Sequence, residues 1–307
     1  MIKYYKNSRQ QPKLKRLGVF AKNSWINVIT PSEKELEELS KILHLAKDVL
    51  IDATDEFELP RLKYYGNNLV IIVRIPVKKN STYITMPFTI IANGNTICTI
   101  TNKKTKLVDD ITTNSIPIIT TQQSQFIIQI FTRIIEYYQD YISTIHKRVQ
   151  KEKAQLETVT KQEVLKMVET EDVLNEFISA LNPTIHVFKK ILHGKYIDIY
   201  EEDRMMVDDL LIDAEQVYQF STTNLRTVKN IRDGYTTVLS IRLNQIMKVL
   251  TYVTAIFTIP MLITSLYGMN VKLPLVNTDY AFGIILVIIS IIMVLAITVF
   301  IMLRKRI

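Results

Sequence analysis

The stretch RLNQIMKVLTYVTAIFTIPMLITSLYGMN (residues 242–270) decides the fold. No charged residue lies between Lys248 and Lys272. An uncharged run of about 23 residues, rising about 1.5 Å at each, makes a helix of roughly 35 Å, and the hydrocarbon core of a bilayer is about 30 Å thick. A second uncharged gap separates Asp279 from Arg304, and residues 284–303 are apolar on every face. A hairpin buried in a soluble core has no need of that all-round apolarity. Two transmembrane helices are therefore predicted, at 249–267 and 281–303, joined by a short loop over 268–280.

Upstream of the first span the helical pattern does not stop. Over 201–266 the only proline is Pro260 and the only glycine Gly234. Apolar or small residues recur at 207, 210, 214, 217, 221, 225, 228, 231, 235 and 238. Steps of three and four make a coiled-coil-like seam, so a long helix is expected to run into the membrane span, its seam facing partner chains. Within the span, Met247, Thr251, Thr254, Thr258, Met261 and Ser265 form one stripe of hydroxyls and thioethers in an otherwise aliphatic helix. Such hydroxyls serve either to bond their own helix or a neighbouring one, or to line a water-filled path between several copies. The stripe carries no charge, so it would pass a cation only in a hydrated or weakly held state.

The rest of the chain reads as a cytoplasmic part. No signal peptide opens it: residues 1–18 are charged and have no apolar stretch. The basic run at Arg304, Lys305 and Arg306 favours the cytoplasmic side for the C-terminus. Over 1–121 a cytoplasmic α/β domain is expected. SWINVIT (24–30) reads as a strand, Ser32 and Glu35 form a capping box that opens a helix, and residues 67–77, 82–93 and 96–102 are β-branched runs bounded by Gly, Pro and Asn. Residues 122–248 change texture to helical periods and form the long-helix stalk region, with Asn182-Pro183 expected to interrupt it. The order is completed by the spans at 249–267 and 281–303, the external loop 268–280 and a basic cytoplasmic tail at 304–307. The fold class is an α+β cytoplasmic domain (an α/β/α sandwich), then long stalk helices and a two-helix transmembrane hairpin. A multi-pass protein of the cell membrane, in contact with lipid and with both termini cytoplasmic, is expected.

Composition removes several functions. The net charge of +8 fits a membrane-facing role better than nucleic-acid binding. A single cysteine, Cys98, gives neither a disulfide framework nor a thiolate cluster, and the four histidines (44, 146, 186 and 193) have no ligand spacing. Seven scattered glycines supply no phosphate-cradling loop, so no nucleotide and no organic cofactor is expected. With no nucleophile–base pair either, the chain does not read as an enzyme.

The segment 242–270, a short loop and one more span together resemble the CorA family of magnesium transporters. The likeness is carried by Gly268-Met269-Asn270 after Tyr267 and by the order of domain, long helix, two spans and basic tail. DATDEFELPRLKYYGNNLVIIVRIP (52–76) resembles that family's acidic, then Pro-Arg, segment before a strand. The resemblance implies a homopentameric funnel, Mg2+ as main cargo with Co2+ and Ni2+ as further ones, and an axial pore lined by the first span. It makes Gly268, Met269 and Asn270 the selectivity filter, with Asn270 central, Gly268 letting the backbone turn and approach closely, and Met269 packing. It places Met247, Leu250, Thr254, Thr258, Met261 and Ser265 on the pore, with Leu250 and Met247 as its apolar constriction. It also implies closure by internal Mg2+ bridging acids of adjacent subunits, here Asp52 and Asp55 against Asp208, Asp209 and Asp213. Lys272 in the outer loop departs from the family, leaving Asp279 as that loop's only acid. A zinc transporter of the same superfamily and a membrane-anchored oligomeric scaffold are the competing readings.

Overall fold

The structure is a computed structural model of the 307-residue chain. It describes every residue except 81, 95, 155–160, 193–195, 198–199, 272–279 and 305–307, and the side chains at 161, 192, 202, 281 and 299–304. Two compact units emerge, Met1–Arg232 and Asp233–Ile307.

The first unit is built on a seven-stranded sheet. Its strands are β1 (Ile2–Ser8), β2 (Gln11–Leu17), β3 (Trp25–Ile29), β4 (Arg61–Tyr65), β5 (Asn68–Lys79), β6 (Thr82–Asn93) and β7 (Thr96–Thr101), in the order β2-β1-β3-β7-β6-β5-β4. Only β3 and β7 pair in parallel. The period-two alternation of β5 divides its side chains between two cores. Leu69, Ile71, Val73 and Ile75 enter one; Val70 and Ile72 enter the other. Helices α1 (Glu33–Leu43) and α2 (Lys47–Asp52) cover the second face. Helices α3 (Lys106–Thr112), α4 (Gln123–Ala154), α5 (Lys161–Leu192) and the first part of α6 (Glu201–Tyr267) cover the first. This is the expected α/β/α sandwich. The texture change at Gln122 is a change of secondary structure inside one packed unit, because α4 and α5 bury their apolar faces on the sheet.

The capping box is present: Ser32 N donates to a Glu35 carboxylate oxygen at 2.8 Å, and Glu35 N to Ser32 Oγ at 3.4 Å. Two expectations need correction. Pro183 does not interrupt its helix; α5 runs through it. A mid-helix proline costs about 3 kcal/mol. Full burial of each apolar side chain contributes about 1.5–3 kcal/mol, and Leu181, Ile185 and Phe188 around it are all buried. Packing therefore wins over local propensity. The second correction concerns the seam. Val207, Leu210, Ala214, Val217, Ser221, Val228 and Ile231 are buried within their own unit. The partners of α6 there are α4 and α5. His146 Nδ1 donates to Asn224 Oδ1 at 2.8 Å, Lys189 pairs with Glu215 at 2.8 Å, and Arg232 with Glu171 at 2.6 Å. Over 207–231 intrachain packing takes up the seam that was expected to face other chains, while Tyr235 and Val238 beyond it stay half-exposed.

The β1–β2 hairpin has no counterpart in the reading of residues 1–18. Apart from the buried Asn7, its strand residues are half-buried or exposed, so no apolar alternation marks them. Pro12, Lys13, Lys15 and Arg16 sit on β2, the outermost strand, where proline and cations discourage further pairing.

A polar clasp joins α3 to α4. Asp110 pairs with Arg133 at 2.9 Å and accepts a short hydrogen bond from the Tyr137 hydroxyl. Burial pushes the Asp110 carboxyl up, but hydrogen bonds from Tyr137 and Arg133 more than reverse this and hold it below the usual carboxylate range. A carboxyl depressed by folding contributes its full stability above its unfolded pKa, about 3.9, and loses it as pH falls through the folded value. Asp110→Asn is expected to cost about 1–3 kcal/mol at neutral pH and to make stability less acid-sensitive below about pH 4. Thermal unfolding across pH, wild type beside variant, measures both effects.

In the second unit, α6 contains an apolar window long enough to cross a membrane, none of it buried by the chain itself. Helix α7 (Ala281–Arg304) is apolar over Phe282–Thr298. Exposed apolar surface of this extent calls for lipid or other chains.

Candidate pore and its mouth

At 3.6 residues per turn, Met247, Leu250, Thr254, Thr258, Met261 and Ser265 fall within an arc of roughly 100° on α6. All six are exposed, with Met261 at 72%. The threonine hydroxyls donate to their own helix: Thr251 to Met247 O at 2.8 Å, Thr254 to Leu250 O at 2.9 Å and Thr258 to Thr254 O at 2.7 Å. Each hydrogen is thus committed to the backbone, while a hydroxyl oxygen carries two acceptor lone pairs. The threonines of the stripe are neutral acceptors whose hydrogens are held by their own helix, so the two roles open for the stripe in the sequence are compatible.

The helix ends where the signature begins. Gly268 N donates to Thr264 O at 3.0 Å and Met269 N to Leu266 O at 3.2 Å. A Cβ at residue 268 would lie 3.4 Å from Thr264 O and 3.5 Å from Ser265 O. Both are ordinary contacts, and Gly66 is the glycine with left-handed backbone among the described residues, so neither a turn in φ nor a close approach among them demands glycine at 268. Met269 and Asn270 are exposed beyond it. Lys272, Asp279, Lys305 and Arg306 lie outside the described residues.

The acids named as regulators sit in the first unit, on two elements. Asp52 closes α2 and pairs through Oδ2 with Arg61 Nη2 at 2.9 Å; Arg61 Nη1 reaches Glu58 at 2.9 Å. Asp55 accepts from Phe57 N at 3.0 Å. On α6, Asp208 and Asp209 are exposed and Asp213 half-buried, off the seam. Among the described residues of one chain, no three acids or histidines gather as a metal site. Hard carboxylate oxygens suit Mg2+, but one chain offers them only in part, so a regulatory ion would need a second chain's acids. Sequence reasoning missed Arg61 and Glu58 as the immediate surroundings of Asp52; an arginine nine residues after an aspartate carries no signal until a turn brings them together.

The chain matches the CorA-like Mg2+ transporter protein family over residues 20–306. It is 28% identical over 293 residues to a cobalt/magnesium transport protein CorA of Methanocaldococcus jannaschii, covering 90% of this chain and 89% of that one. The complete structure of the CorA magnesium transporter from the same organism superposes with a TM-score of 0.87 at 24% identity, over 98% of this chain and 97% of that one. The cytoplasmic domain of ZntB from Vibrio parahaemolyticus shares the fold alone, with a TM-score of 0.63 at 9% identity over 76% of this chain and 96% of that one. The chain belongs to the CorA-like Mg2+ transporter family.

Proposed function

We propose that several copies, five by family resemblance, set the α6 stripe around a common axis and conduct Mg2+ inward across the cell membrane. The observation that carries this reading is the uncharged oxygen file of Thr254, Thr258 and Ser265, which ends at Gly268-Met269-Asn270. Mg2+ dehydrates reluctantly and prefers octahedral oxygen. Neutral carboxamide and carbonyl oxygens accept hydrogen bonds from its waters, whereas a ring of carboxylates would hold the ion too tightly for release. No nucleotide is needed: two charges crossing about 100 mV gain roughly 4.6 kcal/mol. Internal Mg2+ bridging Asp52 or Asp55 of one copy to Asp208, Asp209 or Asp213 of the next would close the path.

The test is flux into vesicles holding the purified protein. Saturable Mg2+ uptake is expected, driven by an inside-negative potential and falling as lumenal Mg2+ rises on the cytoplasmic face. Mg2+ uptake independent of potential would overturn the potential-driven mechanism, outward zinc flux without Mg2+ uptake would replace the reading by its zinc rival, and no flux at all would leave the scaffold.

A further inference from the structure

Resting on the regulatory reading of Asp52, we infer that Arg61 is a built-in counter-ion that competes with the divalent cation for that carboxylate and so sets the Mg2+ concentration at which the protein responds. The guanidinium spans two acids, Asp52 and Glu58, each at 2.9 Å. It is anchored through its terminal nitrogens, for Arg61 Nε is buried and has no hydrogen-bond partner. Arg61 opens β4, and its backbone register against Ile72 of β5 fixes the origin of the side chain. Arg74 holds the backbone of the same loop, donating from Nη1 to Glu56 O at 3.0 Å and Glu58 O at 3.1 Å. The guanidinium is thus held to Glu58 as well as to Asp52, so a metal ion that takes Asp52 must displace a cation with a second anchor.

Asp52, Glu58 and Arg61 sum to a charge of about −1 in place of −2, and the Asp52 side chain is 49% exposed, so the competition is screened but real. Exposed pairs of this kind typically change an equilibrium by about two- to five-fold. By contrast, no ion pair reaches Asp208, Asp209 or Asp213 among the described residues. The regulator on α2 is attenuated by its own chain, and the acids on α6 are not.

The experiment is a MgCl2 titration of the thermal unfolding temperature of the full-length protein in detergent, with vesicle flux as a second readout. Arg61→Gln is expected to lower the Mg2+ midpoint about two- to five-fold and Asp52→Asn to raise it. In the Asp52→Asn background, Arg61→Gln is expected to do nothing more. Arg61→Lys, which keeps the charge, should stay closer to wild type. A midpoint unmoved by Arg61→Gln while Asp52→Asn shifts it would overturn the counter-ion role and leave the regulatory reading standing. An Arg61→Gln shift that persists without Asp52 would also overturn it. No shift with Asp52→Asn would remove the regulatory reading itself. If Arg61→Gln unfolds in Mg2+-free buffer, Glu58→Gln carries the test: it leaves the guanidinium to Asp52 alone and should raise the midpoint, and a fall would refute the proposal.

Discussion

Asn270→Ala is expected to abolish selective Mg2+ uptake, lowering it on the order of 100-fold in vesicles while the protein still assembles and inserts. The carboxamide offers the only side-chain oxygen in the Gly-Met-Asn triplet; alanine offers none. An ion entering that mouth would lose hydrogen bonds to its water shell in every copy at once, and hydrogen bonds to charged groups are worth about 1.5–3 kcal/mol each. A ring of such losses far exceeds the roughly 1.4 kcal/mol that makes a tenfold change in rate. Asn270→Gln keeps the chemistry but displaces the oxygen by one methylene, so it should fall between alanine and wild type. Unaltered selective uptake by Asn270→Ala would take the filter away from this triplet.

Paired substitution of Met247 and Leu250 by serine is expected to act in the opposite sense. Both are exposed on the stripe one turn apart, 57% and 56%, and carry no polar oxygen. A narrow apolar ring empties of water, and an emptied ring stops a hydrated ion. Hydroxyls at both positions should keep the ring wet, so that uptake persists on the order of tenfold above wild type when internal Mg2+ is high. Wild-type closure in this double variant would place the constriction elsewhere.

The membrane segment was the most legible part of the chain, because a bilayer imposes one blunt requirement: about 20 uncharged residues. The capping box at Ser32 and Glu35 and the strands over residues 67–102 were legible too, since each rests on short-range chemistry. Pro183 shows where local rules fail. A residue that breaks an isolated helix is carried by the packing of Leu181, Ile185 and Phe188, and that packing is written across distant segments. The seam of α6 was legible as a seam but silent about its partner, because a three–four spacing reports that one face is covered and not by whom. The stripe and the Gly-Met-Asn triplet could be located residue by residue on α6 and just beyond it, while their part in conduction stands as a proposal. The ion pair of Asp52 with Arg61 could not, since it depends on how α2 turns back toward β4.

Intrachain coverage of that seam has a consequence for the life of the molecule. The first unit, whose part of the long helix already lies in its own groove, can reach its shape before it meets a sibling, so under the proposed assembly each polypeptide first folds that unit alone and then associates by mass action. If the proposed assembly forms, protomers carrying different substitutions should mix into hybrids, and dilution should separate them without melting the first unit.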